Sequence, residues 1–257
     1  MKIKAYFSLA NLVLAMSAMW LTLSTLTVEA EETSAANREI VAVLTRYDVK
    51  DGYHKQLREA LLIYMNEALV NESNMMAEAY FEQDQPSVLW VIERWNSKSD
   101  FENASKRQSF KTIDSLSKNG LSRASQRIYL TDLEPVSKRQ WRSVAGPADK
   151  PITIMLFIDA KPGTEGRFKE VYHQAMPKFR SEPGVINYQL SQFADDSTRF
   201  VTYERFRSEE AFQYHLNFPP IQPVIDYLNT SIRKQPFQSG LHRLVFIPAG
   251  APATSDQ

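Results

Sequence analysis

The sequence of 257 residues contains no cysteine. A chain without thiols cannot form disulfides, zinc–thiolate sites, iron–sulfur clusters or a cysteine nucleophile. It also lacks an excess of either charge, because 30 Lys and Arg residues balance 30 Asp and Glu residues. Zero net charge argues against a broadly basic nucleic-acid-binding protein. Hydrophobic residues make up 43% of the chain, which is enough for a sizeable core.

Sequence motifs for common cofactors and metals are missing as well. The chain has no GxGxxG, GxxxxGK[ST] or GxSxG segment, so nucleotide-binding and α/β-hydrolase folds have no motif support. Its four histidines (His54, His173, His215 and His242) show no HxH or HExxH spacing. We therefore expect neither a dedicated metal site nor a bound cofactor.

The first thirty residues are typical of a secretory signal peptide. Two lysines precede an apolar run without charge from Tyr6 to Val28, and Val28-Glu29-Ala30 offers small residues for cleavage. We predict a signal peptide over residues 1–30, cleaved after Ala30, and a periplasmic or secreted chain without stable membrane association. The alternative is an uncleaved anchor, since the run is long enough to span a bilayer.

The rest of the chain repeats itself. A shift of 111 residues aligns copy one (about 39–117) with copy two (about 150–228) without a gap, and the helix patterns agree better than the letters. We predict two homologous domains, at 37–135 and 150–250. A linker at 136–149 joins them, and 251–257 is a tail.

Each copy has the same predicted order of elements. A strand leads through a Gly52 or Gly163 turn into an amphipathic helix, which is followed by two strands, a second helix and a last strand. This β-α-β-β-α-β order is the ferredoxin-like arrangement of an α+β fold. If Arg127 matches Arg243, copy two is about five residues longer before its last strand.

Copy two resembles a known family in Phe168–Leu190, in Tyr203-Glu-Arg-Phe and in the segment from Ser208 to Leu216. These residues are similar to the antibiotic biosynthesis monooxygenase domain, of the dimeric α/β barrel group, which includes cofactor-free quinol monooxygenases. Copy one matches in pattern more than in letters and is interpreted as degenerate. The resemblance implies that the two sheets form an intrachain dimeric α/β barrel. The chain would then be a pseudo-dimeric monomer, and a further dimer of it is left open.

His215 is the main candidate for catalysis. It follows the core residue Phe212 by three positions on a helix and matches a histidine common in that family, whereas copy one has Ala104 there. We predict His215 as a base, with Asn187 and Tyr203 as hydrogen-bond donors in the same helix–sheet cavity. The alternative is a buried, hydrogen-bonded histidine beside ordinary strand and core residues.

Aromatic residues supply the candidate ligand-binding set, which is Trp90, Trp95, Tyr188 and Phe206. Such residues can stack on a planar ligand, although they more commonly form part of a core. A Glu-Arg pair stands at the same strand position in both copies, as Glu93-Arg94 and Glu204-Arg205, whereas His215 has no counterpart in copy one. We therefore interpret these pairs as structural charge pairs or as solvation of the strand end, and not as catalytic residues.

Three functions fit these observations. The first is an exported cofactor-independent monooxygenase acting on a quinol or another electron-rich aromatic molecule. The second is a non-catalytic periplasmic binding protein for a small aromatic or hydrophobic ligand, since a fold can keep its cavity without its chemistry. The third is a protein that binds a macromolecular partner. The stretch Asn217-Phe-Pro-Pro, where the family has a further histidine, disfavours catalysis.

Overall fold

The computed structural model describes residues 40–248, apart from the side chains of residues 237 and 238. The predicted signal peptide (1–30) and the predicted tail (251–257) lie outside the described residues. Among the helices that are described, none is long and apolar enough to cross a membrane.

Copy one folds in the predicted order, with its second helical segment divided in two. Its elements are β1 (Val41–Asp48), α1 (His54–Leu69), β2 (Asn74–Glu82), β3 (Val88–Trp95), α2 (Lys98–Ala104), α3 (Gln108–Gly120) and β4 (Gln126–Leu133). Helix α1 buries one stripe against the sheet, because residues three and four apart share a helix face. That stripe consists of Leu57, Ala60, Leu61, Tyr64, Met65 and Ala68.

Copy two follows after a short linker helix, α4 (Lys138–Trp141). Its elements are β5 (Ile152–Asp159), α5 (Glu165–Arg180), β6 (Val185–Phe193), β7 (Arg199–Phe206), α6 (Glu209–Leu216), a 3₁₀ turn (Pro219–Ile221), α7 (Gln222–Thr230), α8 (Pro236–Ser239) and β8 (Leu241–Ile247). Pro219 and Pro220 separate α6 from α7, since proline lacks the N–H that would continue a helix.

The eight strands close into one barrel in the order β1-β3-β2-β8-β5-β7-β6-β4. Each copy contributes four neighbouring strands, and the copies meet where β4 pairs with β6 and β2 pairs with β8. This arrangement confirms the predicted α+β fold, in which two ferredoxin-like units form an intrachain dimeric α/β barrel. Each sheet turns its inner face to the barrel interior and its outer face to its own helices.

The internal repeat is visible in backbone detail. The turn after the first strand of each copy contains a glycine with positive φ, +84° at Gly52 and +85° at Gly163, a conformation that suits glycine because it has no Cβ. The pairing of the second and third strands is irregular at the same place in both copies, between Asn74 and Met76 in β2 and between Val185 and Asn187 in β6. Both pairs of positions differ by the predicted 111 residues.

The last strands of the two copies are more than 111 residues apart, but the extra length in copy two is smaller than the predicted five residues. In copy one Val43 faces Tyr129 across the first and last strands, and in copy two Ile154 faces Arg243. Tyr129 and Arg243 are 114 positions apart, so copy two is three residues longer there, not five. The match of Arg127 with Arg243 is wrong, because strand register rather than residue type decides the equivalence.

The barrel interior is filled by side chains from both copies and from the linker. Its buried apolar cluster is Ala42, Leu44, Met75, Met76, Tyr80, Val88, Trp90, Ile92, Ile128, Leu130, Trp141, Met155, Phe193, Val201, Tyr203 and Leu244. Trp141 from α4 lies with its ring 3.7 Å from the Arg94 guanidinium, a cation–π contact. The linker is therefore part of the barrel core.

Candidate functional site

His215 and the two side chains predicted to act with it lie on opposite faces of the copy-two sheet. Successive side chains of a strand point to opposite faces, so Tyr203 lies inside the barrel while Phe206 lies under the helices beside His215. Asn187 is on the inner face as well, where it accepts a hydrogen bond from Arg205 at 3.4 Å. The prediction that Asn187, Tyr203 and His215 line one cavity is therefore wrong, because the sheet separates them.

Tyr203 and Asn187 instead belong to a network inside the barrel. The Tyr203 hydroxyl donates to the Glu78 carboxylate of copy one and lies 2.9 Å from the Tyr80 hydroxyl. Arg205 donates to the same carboxylate at 2.9 Å, and Asn187 donates to a linker carbonyl at 2.8 Å. Burial raises the pKa of the Tyr203 hydroxyl, which keeps it a neutral donor. These groups satisfy one another and join the two copies.

A cavity of about 110 Å³ lies between the outer face of the copy-two sheet and its helices. Its polar side chains are Tyr172, Tyr188, Glu204 and His215, and the other lining residues are Ile154, Leu156, Phe212, Leu216, Ile221, Val224, Ile225, Leu228 and Leu241. An apolar cavity with a few converging polar groups is the usual form of a small-molecule site. Within the described part of the chain, no three His, Cys, Asp or Glu side chains are grouped to hold a metal ion.

Helix α6 brings His215 to this cavity. Ser208 caps the helix by accepting a hydrogen bond from the Ala211 N–H, and the helical repeat then places Phe212 and His215 on the buried face. The imidazole packs against three aromatic rings at centroid distances between 4.8 and 5.3 Å, those of Phe179, Tyr188 and Phe206. Its position is therefore fixed by packing.

Glu182, in the turn between α5 and β6, holds the imidazole, a role that was not predicted from the sequence. Its Oε1 lies 2.8 Å from Nδ1 of His215, and the two side chains are 1% and 2% exposed. The other oxygen, Oε2, is buried and has no hydrogen-bond partner among the described residues. An unpaired buried oxygen is rare in proteins. No sequence spacing links positions 182 and 215, because the pair forms only where α6 crosses this turn.

Burial shifts the pKa values of three groups around the cavity. It raises the pKa of Glu204 to about 7, and it raises the pKa of Glu182 to about 7 with a contribution from the Glu204 charge. It lowers the pKa of His215 to about 4, since desolvation disfavours each charged form. His215 is therefore neutral at pH 7. From the Glu182 contact we assign its proton to Nδ1, which leaves the Nε2 lone pair for a ligand.

The four aromatic residues predicted to bind a ligand occupy three separate places. Tyr188 and Phe206 flank His215 at the copy-two cavity. Trp90 lies inside the barrel, where its indole N–H donates to Glu82 at 2.8 Å. Trp95 lies under the helices of copy one. The structure groups only Tyr188 and Phe206 with His215.

The adjacent Glu-Arg residues at 93–94 and 204–205 are not paired with each other. Neighbouring residues of a strand point to opposite faces, so Arg94 turns inward and pairs with Asp132 at 2.7 Å. The same alternation turns Arg205 inward, while both glutamates face the helices. Each arginine therefore forms a structural ion pair with a carboxylate on another strand, Asp132 or Glu78, and not with the adjacent glutamate.

Copy one surrounds Glu93, the residue equivalent to Glu204, with different side chains. Glu93 accepts hydrogen bonds from the Tyr64 hydroxyl at 2.7 Å and from the Trp95 indole at 3.1 Å. Burial raises its pKa to about 7, as it does for Glu204. Ala104 stands at the position of His215. Of the two equivalent places, only that of copy two carries a histidine.

These features define a class of protein, a pseudo-dimeric α/β barrel with a helix-covered cavity on the outer face of one sheet. The sequence profile described as antibiotic biosynthesis monooxygenase matches the chain twice, at residues 40–114 and 151–225, which is more than half of its length. The chain belongs to the antibiotic biosynthesis monooxygenase family.

Solved structures share the tandem fold. A candidate monooxygenase from Fusobacterium nucleatum is 14% identical, with a TM-score of 0.68 over 82% of this chain and 94% of that chain. Another from Lactobacillus acidophilus is 12% identical, with a TM-score of 0.67 over 84% and 100%. An anthrone oxidase-like protein is 13% identical, with a TM-score of 0.57 over 86% and 98%. At these identities the similarity shows the fold alone.

One curated relative is an uncharacterized protein of Synechocystis sp. It is 28% identical over 79 residues, which is 31% of this chain and 54% of that protein. The chain thus spans about half the length of this relative.

Proposed function

We propose that the copy-two cavity binds a small electron-rich aromatic compound, such as a quinol, and that the bound compound is oxidised by O₂ without a cofactor. The observation that carries this proposal is the buried His215–Glu182 pair at the edge of a mostly apolar cavity. Membership of a family described by monooxygenation supports the same chemistry.

The substrate supplies every electron in this reaction. Removal of a phenolic proton gives an electron-rich phenolate, which reduces O₂ directly. For a hydroquinone, one oxygen atom enters the ring, the other leaves as water, and the organic product is a hydroxyquinone. The protein has to accept the proton, orient the ring and stabilise the phenolate.

We assign the acceptor role to Nε2 of His215. Because burial lowers its pKa to about 4, the proton transfer depends on stabilisation of the imidazolium by the facing Glu182 side chain. Its Nδ1–H donates to Glu182, so the imidazolium formed on proton transfer would face a carboxylate. The hydroxyls of Tyr172 and Tyr188 line the same cavity and replace Tyr203 and Asn187 as candidate donors to the phenolate. Burial raises the pKa of both tyrosines, so each stays protonated and able to donate.

The size of the cavity limits the substrate. At about 110 Å³ it is smaller than the roughly 150 Å³ cavity that admits benzene in an engineered protein. Even a single ring therefore requires a small outward movement of the lining, and we expect single-ring compounds to be preferred over larger ones. A two- or three-ring substrate would require the wall formed by Leu216 and Ile221, on either side of Pro219-Pro220, to move outward.

Oxygen uptake with a panel of one-ring and two-ring hydroquinones tests the proposal on the purified chain. We expect uptake by the wild type, a loss of about a hundredfold or more in His215→Ala, in line with the usual contribution of general-base catalysis, and a smaller loss in Glu182→Gln. Tyr203→Phe is the matched control, because that hydroxyl lies across the sheet and should not affect the rate. Equal uptake by wild type and His215→Ala would exclude His215 as the base.

A second outcome separates catalysis from binding. If the compounds raise the melting temperature of the wild type but not of His215→Ala, and no oxygen is consumed, the protein is a non-catalytic binding protein for small aromatic ligands. Two observations support a non-catalytic binding function. The cavity is small, and copy one has Ala104 at the position of His215.

Export is part of the proposal. It depends on the charged, apolar and small-residue segments over residues 1–30. Mass spectrometry of the protein recovered from cell fractions should show a chain that begins at Glu31. A cytoplasmic chain that retains Met1 would contradict it.

A further inference from the structure

Glu204 lines the copy-two cavity, but the reaction proposed above gives it no role. It lies on β7, on the outer face of the sheet, and is 5% exposed. Its neighbours across the strands are Ile154 on β5 and Tyr188 on β6, and both of these side chains line the same cavity. The carboxyl group therefore borders the space that a ligand would occupy.

The equivalent carboxylate of copy one, Glu93, shows what is missing in copy two. It accepts hydrogen bonds from the Tyr64 hydroxyl at 2.7 Å and from the Trp95 indole at 3.1 Å. The shift of 111 residues places Ala175 and Phe206 at the positions of these two donors, and neither of those side chains can donate a hydrogen bond. Copy two thus keeps the carboxylate at the same strand position without the two donors that satisfy it in copy one.

The arginine in register with Glu204 is engaged elsewhere. Arg243 lies two strands away, on β8, and is paired with Glu209 at 2.8 Å. Burial raises the pKa of Glu204 to about 7, in spite of the neighbouring Thr202 and Tyr188 hydroxyls. Each further hydrogen bond that a buried carboxylate accepts stabilises its charged form. A ligand that brings a donor to Glu204 would therefore be favoured.

Tyr188 indicates how far Glu204 lies from His215. The centroid of its ring is 5.3 Å from that of the imidazole, and its hydroxyl lies beside the Glu204 carboxyl. One phenol side chain thus borders both groups. A ligand with a single aromatic ring and a hydroxyl at each end has similar dimensions, so it can present one hydroxyl to His215 and the other to Glu204.

We propose that Glu204 sets the specificity of the copy-two cavity by accepting a hydrogen bond from a second ring hydroxyl, opposite the hydroxyl that faces His215. This inference rests on the proposed binding of an aromatic compound in that cavity. It narrows the ligand to para-dihydroxy compounds over monohydroxy compounds of the same size. A site built to hydrogen-bond a hydroxyl discriminates strongly against an analogue without it, because the buried polar group of the protein is then left unpaired.

Anaerobic isothermal titration of the full chain with hydroquinone and with 4-methylphenol tests this proposal. The two compounds are nearly equal in size, and the absence of O₂ prevents oxidation. At pH 8, where Glu204 is mostly ionised, we expect hydroquinone to bind about tenfold or more tightly, the size of a hydrogen bond to a charged group. Glu204→Met should abolish this preference by weakening hydroquinone alone. Glu204→Gln should retain part of it, because the amide keeps the shape and an acceptor oxygen.

Two further variants separate this inference from the proposed function. Glu93→Gln changes the enclosed carboxylate of copy one and should leave both affinities unchanged. His215→Ala should weaken both compounds to a similar extent, because each has the hydroxyl that faces His215. Equal affinity of the wild type for the two compounds, or a preference for hydroquinone that persists in Glu204→Met, would overturn the role of Glu204 alone. Failure of both compounds to bind would overturn the proposed function as well.

Discussion

Glu93 of copy one and Glu204 of copy two occupy the same strand position, and both are buried with pKa values raised to about 7. Their surroundings differ. Glu93 is enclosed by Tyr64 and Trp95, which both donate hydrogen bonds to it. Glu204 lines a cavity that also contains His215. The same strand position thus carries a carboxylate enclosed by two donors in copy one and a buried carboxylate that lines a cavity in copy two.

The difference arises from side-chain volume at equivalent positions. Trp95 stands where copy two has Phe206, and Tyr64 stands where copy two has Ala175. Two larger side chains fill the space under the copy-one helices, and both bring a polar group to the carboxylate. Two smaller side chains leave space in copy two. A duplicated fold can therefore keep a site in one half and use the other half as a packed support.

Substitutions at the equivalent arginines Arg94 and Arg205, inside the barrel, should show the largest difference in stability between the copies. Arg94 and Asp132 are each 1% exposed, so Arg94→Met leaves a buried carboxylate with no cation and with a donor from the Ser191 hydroxyl, and it should cost about 3–5 kcal/mol in the free energy of unfolding. Arg205→Met should cost less, about 1–3 kcal/mol, because Glu78 is 14% exposed and keeps two tyrosine donors. Urea denaturation measures both.

The double variant Arg94→Met/Asp132→Leu is the control for that comparison. Replacing both charges by apolar side chains should recover much of the stability that Arg94→Met loses, since no unpaired charge remains. If Arg94→Met and Arg205→Met lower the free energy of unfolding equally, the greater exposure of Glu78 does not distinguish the two ion pairs.

The next effect concerns the pH dependence of stability. Glu93 has a folded-state pKa of about 7 against an ordinary value of 4.5, so the folded protein keeps its proton while the unfolded chain releases it. The free energy of unfolding should therefore fall by up to about 3 kcal/mol per carboxyl as the pH rises from about 4.5 through 7. Glu93→Gln should remove one such contribution, measured by urea denaturation at pH 5 and pH 7.5.

Glu204→Gln should reduce this pH-dependent loss of stability more than Glu93→Gln does, because the Glu204 charge also raises the pKa of Glu182. His215 acts in the opposite direction. Its lowered pKa gives a contribution that is present above about pH 6.5 and lost as the pH falls toward about 4. If both glutamine variants keep the wild-type dependence of the free energy of unfolding on pH, the raised pKa values assigned to Glu93 and Glu204 are wrong.

The smallest effect should be equal in the two copies. Ser97 and Ser208 cap equivalent helices by the same bond, from the N–H three residues on, at 3.2 and 3.3 Å. Ser97→Ala and Ser208→Ala should each cost about 1 kcal/mol. If Ser208→Ala costs more than Ser97→Ala by over about 0.5 kcal/mol, the helix over the copy-two cavity depends more on its cap than its counterpart does, given that surface substitutions usually vary within that range.

Much of the architecture could be predicted from the sequence, because periodicity and turn chemistry are local. The stripe on α1, the Gly52 and Gly163 turns and the serine caps are all set by residues within a few positions of each other. The site was predicted less well. His215 was identified as a buried residue beside the sheet, but its partner Glu182 was not, since 33 positions of chain separate them.

The repeat of two ferredoxin-like units can be recognised from the amino-acid sequence alone, because a hydrophobic pattern and its spacing are properties of one strand or helix at a time. The sequence has a limit. It could not determine on which face of the finished sheet each polar residue lies relative to a helix far along the chain. Only the tertiary structure placed Tyr203 inside the barrel, His215 on Glu182 and Trp95 on Glu93. These contacts depend on strand pairing and helix crossing, and both are decided when the two sheets close on each other.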